Sequence, residues 1–130
     1  MKDWHVVLKV FPEWWTCPGA DLVDWHQYGV SDGAYHDEKG GSFTIAPGFW
    51  KADVAEARLP RLPRHEWCQN VRDMVDSRQD WQLVVSFNEA GEGTFIEPAK
   101  EWINTENALI PFPAKTSENG YYLDCLHDIQ

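Results

Sequence analysis

A chain of 130 residues with 43% hydrophobic and 25% charged residues is sized for one packed domain and is not globally disordered. Its 11 Lys and Arg against 21 Asp and Glu leave a net charge of −10, which argues against nucleic acid or an anionic membrane surface as partner. No apolar run approaches the roughly 18–20 residues of a membrane-spanning helix. Met1–Leu8 lacks the apolar core and small-residue cleavage site of a signal peptide, so a cytoplasmic location is expected. Cys17, Cys68 and Cys125 are odd in number, far apart and without a C-x-x-C, which indicates neither a disulfide framework nor a zinc ribbon. Eight tryptophans mean either heavy aromatic packing or a surface that stacks on flat apolar faces such as sugar rings.

Taken in chain order, Trp4–Phe11 reads as a β-branched-rich strand closed by Pro12. Trp25–Val30 is a shorter strand candidate. Ser42–Phe49 follows the breaker Gly40-Gly41 and contains Pro47-Gly48, which should end or bend it. A helix follows, with Pro63 in its first turn, Glu66 at its positive end and Arg78 at its negative end. Trp67, Val71, Met74 and Val75 form its single apolar stripe. Gln82–Asn88 is a nearly continuous apolar run of the kind buried on both faces in parallel sheets, and with the helix before it makes a β-α-β unit. Gly93–Gly120 reads as a long irregular connection broken by Pro98, Pro111 and Pro113, a length typical of functional segments. A last helix spans Tyr121–His127, with Tyr122, Leu123 and Leu126 on its buried side.

Chemistry concentrates in Phe87–Pro98, where a buried strand runs into a glycine-flanked loop holding three carboxylates. Ligands bind at the C-terminal ends of strands in parallel α/β folds. Glu89 and Glu92 are three residues apart, and the bend at Gly91 and Gly93 would bring both to one cleft. A carboxylate pair is what glycoside hydrolysis needs; a solvated turn in an acidic protein is the competing reading of the same spacing. His36-Asp37-Glu38 fits no standard metal spacing and reads as a solvated loop. Trp67 and Trp81 read as core, and no cofactor is indicated.

The run Ser86-Phe87-Asn88-Glu89-Ala90-Gly91-Glu92-Gly93-Thr94-Phe95-Ile96-Glu97-Pro98 resembles the signature S/T-F-N-E-W-x-E-G-T-x-I/V-E-P/S. That signature belongs to the clan of retaining glycoside hydrolases containing the endo-α-mannosidases (family 99) and relatives near family 71. Leu8–Phe11, Trp25–Tyr28, Ala46–Trp50 and Gly120–Leu126 continue the similarity in order along nearly the whole chain. The resemblance implies the last four strand–helix units of a (β/α)8 barrel, with Met1 near the entry to the fifth strand. By matching position, Glu89 would assist the sugar 2-hydroxyl and Glu92 would be the general acid/base. Trp25, His26, Tyr28, Trp50 and Asn88, in the matched segments, would be substrate-binding positions, with packed aromatics the competing reading of His26 and Tyr28. Trp14 and Trp15, past the first strand, would either stack on a ligand or cover the barrel mouth. Ala90 departs from the family's Trp and removes an aromatic wall.

The resulting expectation is an α/β fold, a (β/α)4 half-barrel of four parallel strands near 4–11, 25–30, 42–49 and 82–89. Two copies of 130 residues match the roughly 250 of a closed barrel, so self-association, most simply as a two-fold homodimer, is expected. Three functions stay open: a self-associating half-barrel, serving in assembly or sugar binding with weak or no catalysis; an active retaining hydrolase on an α-linked glycan using Glu89 and Glu92; and the C-terminal piece of a split enzyme.

Overall fold

The computed structural model describes residues 5–98, except 12, 40 and 52, together with residues 120–129. It is a mixed α/β structure with five short strands and two helices among the described residues. β1 (Val7–Val10) and β2 (Asp24–Gln27) form a parallel pair, in which Lys9 lies opposite His26. A second sheet has the order β3-β4-β5, with β3 (Ala34–Asp37) antiparallel to β4 (Ser42–Ile45) and β5 (Trp81–Val84) parallel to it. Short 3-10 turns at Trp14–Thr16, Ala20–Leu22 and Val30–Asp32 fill the connections between β1, β2 and β3.

Strands stand at all four anticipated places, each shorter than its anticipated span, but as two separate parallel pairs, β1 with β2 and β4 with β5, and not as one continuous ladder. β3 holds one edge of β4 and β5 the other. β2 instead meets β4 through side chains: Ser42 Oγ accepts the Gln27 N–H at 3.4 Å, and Thr44 Oγ1 donates to the Gln27 carbonyl at 3.0 Å. β3 also corrects the reading of His36-Asp37-Glu38 as a solvated loop. His36 stacks on Phe43 at 5.1 Å, and Asp37 is buried and accepts the Lys39 N–H in the turn toward β4.

Alternation along β4 divides the interior in two. Ser42 and Thr44 face β2, whereas Phe43 and Ile45 join the main core with Trp67, Val71 and Met74 of α1 (Arg64–Ser77). Helix α1 starts directly after Pro63 and ends at Arg78, the two positions its sequence marked, with Arg78 leaving it in a left-handed conformation, φ 54°. α2 (Tyr121–Asp128) buries Tyr122 and Cys125, while Leu123 and Leu126 are only partly covered. Trp67 is fully buried, donates Nε1–H to the Tyr122 carbonyl at 2.9 Å and meets the Tyr122 ring edge-on; Trp81 is only half-buried.

Cys68 and Cys125 are joined by a disulfide that pins α2 to α1, and Cys17 is free and exposed. This corrects the expectation of no disulfide. The two cysteines are 57 residues apart in sequence, and only helix docking brings their Cα atoms to 5.2 Å. No helix among the described residues is long and apolar enough to cross a membrane. Of the anticipated 93–120 connection, positions 99–119 lie outside the described residues, as does Trp4.

Candidate functional site

Beyond β5 the chain folds back on itself. Ser86 N–H donates to the Thr94 carbonyl and Ile96 N–H returns to the Ser86 carbonyl, while the Ser86 and Thr94 hydroxyls meet at 2.9 Å. Gly93 turns this loop at φ 62°, a conformation that favours glycine, and it is buried. Arg61 then clamps the loop from the segment before α1. Its Nη1 donates to the Gly93 carbonyl at 2.8 Å and its Nη2 to the Phe95 carbonyl at 2.7 Å, with the guanidinium over the Phe95 and Tyr122 rings. Gly48 permits this approach, because a Cβ there would meet Arg61 Cδ at 2.9 Å. The loop is further tied at Glu92, whose carbonyl accepts the Trp50 N–H at 2.8 Å.

Glu92 consequently lines a cleft of about 520 Å³ with Lys9, Phe11, Tyr28, Ser31, Phe49, Lys51 and Arg58. These residues lie at or beyond the C-terminal ends of β1, β2, β4 and β5, apart from Arg58. The Tyr28 phenol donates a long hydrogen bond, 3.5 Å, to Glu92 Oε2. Burial raises the phenol above its ordinary value, and the charge of Glu92, the hydrogen bond to it and the charge of Glu89 raise it further. Both carboxylates therefore act on Tyr28. Glu89 is nonetheless exposed, and its Oε1 accepts the N–H of Gly91 from its own loop at 3.0 Å.

The other anticipated site residues separate. His26 is half-buried opposite Lys9, and burial followed by the Lys9 ammonium lowers its imidazole below the ordinary value. Trp50 anchors the site through its backbone while its indole N–H donates to the Val54 carbonyl. Asn88 is exposed in the loop, its carbonyl accepting the Ala90 N–H. Trp25 is buried on the face of β2 opposite His26. Trp14 borders a different hollow with Leu8, Val10 and Cys17, and Trp15 is covered by the Lys39 ammonium at 3.2 Å.

Lys9, Lys51 and Arg58 carry no role in the sequence reading, because Lys9 lies in β1 and the other two are spaced apart along the β4–α1 connection of an acidic chain. The run Arg58-Leu59-Pro60-Arg61-Leu62-Pro63-Arg64 was the available signal, a local excess of cations just ahead of α1. Among the described residues, no group of three His, Cys, Asp or Glu side chains is placed to hold a metal ion. Neither protein-family models, nor curated proteins, nor solved structures match this chain.

Proposed function

We propose that this chain is a half-barrel of glycoside-hydrolase type that binds an α-linked glycan in the Glu92 cleft, with weak or no turnover of its own. One observation carries the reading: the cleft gathers residues from beyond the C-terminal ends of both parallel pairs, β1 with β2 and β4 with β5, the usual place of ligands in parallel α/β folds. Glu92 offers a hydrogen-bond acceptor for sugar hydroxyls, and exposed Phe11 offers a flat apolar face.

Weak turnover follows from the state of Glu89. A glycosidase carboxylate pair acts only when both groups are held against the sugar within one cleft. Glu89 lies exposed against its own loop amide, beside Ala90 rather than an indole. Isothermal titration with a panel of α-linked oligosaccharides tests the reading: wild type binds, and Glu92→Gln with Tyr28→Phe loses most of the affinity. No heat with any member of the panel overturns it.

A working retaining hydrolase is the second reading, favoured by Glu89 and Glu92 on one loop with Glu92 turned into the cleft beside Tyr28. Completion of the barrel by a second copy is part of the proposal. It is supported by the open edges of both sheets: among the described residues β1, β2, β3 and β5 each pair on one side only. Light scattering after size exclusion checks it, with twice the chain mass expected and a stable monomer at micromolar concentration contradicting it. The Cys68–Cys125 disulfide favours an oxidising compartment over the cytoplasm.

A further inference from the structure

The cleft runs against the charge of the chain. Lys9, Lys51 and Arg58 line it beside a single carboxylate, Glu92, although the protein as a whole carries −10. Among the described residues none of the three is held in an ion pair with a carboxylate. Lys9 instead rests its ammonium 3.6 Å from the Tyr28 ring centroid, and Lys51 lies 5.9 Å from that of Phe49. Cations supported on aromatic faces in a concave wall remain available to a ligand anion. The planar fork of Arg58 suits a carboxylate or a sulfate in bidentate contact. A neutral glycan would leave this charge unused.

We infer that the cleft takes an acidic glycan, its carboxylate or sulfate ester met by Lys51, Arg58 and Lys9 while its hydroxyls meet Glu92. This rests on the carbohydrate reading and specifies its ligand class. Lys9 also perturbs His26 across the strand pair, in keeping with a positive potential over this end of β1 and β2.

The test compares an α-linked galacturonic acid tetramer, its uncharged methyl ester and a sulfated α-galactose tetramer, by isothermal titration at low ionic strength. The two acidic tetramers should bind about tenfold more tightly than the ester, the sum of a few exposed charge contacts. Their advantage should shrink with added salt, and in Lys51→Gln with Arg58→Gln it should fall close to unity. Melting curves establish that this variant is folded. Equal binding of acid and ester, or an advantage that survives the double substitution, overturns the inference and leaves the carbohydrate reading standing. Absence of binding by all three overturns both. Inorganic sulfate displacing the acidic tetramers at comparable concentration reduces the cleft to a bare anion site and overturns the glycan assignment.

Discussion

The phenol of Tyr28, just beyond β2, donates to Glu92 Oε2 in the loop after β5, joining two residues that lie 64 positions apart. Burial, then Glu92 and Glu89, hold this phenol neutral above its ordinary value of 10.0. A group whose folded pKa is raised contributes stability that is intact below its unfolded value and lost as pH climbs through the folded one. Stability should therefore decline above pH 10.0 in wild type and less steeply in Tyr28→Phe. The phenolate absorbance difference between the two proteins should show a midpoint above 10.0; one at or below that value contradicts the contact.

His26 reports the opposite sign. Its imidazole is lowered from 6.5 by burial first and by Lys9 second. The linked stability is present above pH 6.5 and falls as pH drops through the lowered value. Proton NMR of the ring should place its midpoint below 6.5, moving toward that value in Lys9→Gln. A Lys9→Gln variant with an unchanged midpoint would show that the ammonium lies elsewhere.

Arg61 holds the carboxylate loop through two charge-assisted hydrogen bonds and two aromatic faces. Arg61→Ala should cost about 2 kcal/mol in denaturant unfolding, since the carbonyls of Gly93 and Phe95 lose a shared donor. Arg61→Lys should recover little, because an ammonium supplies neither the fork nor the stacked plane. Full recovery by lysine would mean that charge alone holds the loop.

Closing 57 residues of chain, the Cys68–Cys125 disulfide should stabilise the fold by about 2–4 kcal/mol through the entropy of the unfolded state. The double variant Cys68→Ser, Cys125→Ser should melt lower, and wild type treated with reductant should match it. Identical melting of oxidised and reduced wild type would contradict the bridge.

Helix α1 was legible because Trp67, Val71, Met74 and Val75 repeat at helical spacing between Pro63 and a cation, Arg78, suited to the negative end; the left-handed conformation of Arg78 was not. β1, β4 and β5 were legible as apolar runs, whereas β2, Asp24-Trp25-His26-Gln27, was only a short candidate. β3 was not legible: Ala34-Tyr35-His36-Asp37 carries no run of apolar or β-branched residues, and its reason for extending is the free edge of β4, a tertiary cause. The pairing of Cys68 with Cys125 likewise depends on helix docking. In the site, Glu92 and Tyr28 were visible as residues, whereas the cationic wall was dispersed over Lys9, Lys51 and Arg58 and became apparent only when the strand ends converged.

Binding without robust turnover is the central claim, and one activated substrate tests both halves at once. An aryl α-glycoside is titrated calorimetrically into wild type and into Glu89→Gln with Glu92→Gln, and release of the aryl alcohol is followed in parallel. Positioning of a substrate in a near-attack pose supplies on the order of 7–11 kcal/mol in well-oriented systems, and an exposed Glu89 offers little of it. The account predicts saturable binding to wild type, weakened in the variant, with aryl alcohol released at the same near-background rate by both. Turnover by wild type far above background and abolished in the variant would contradict it.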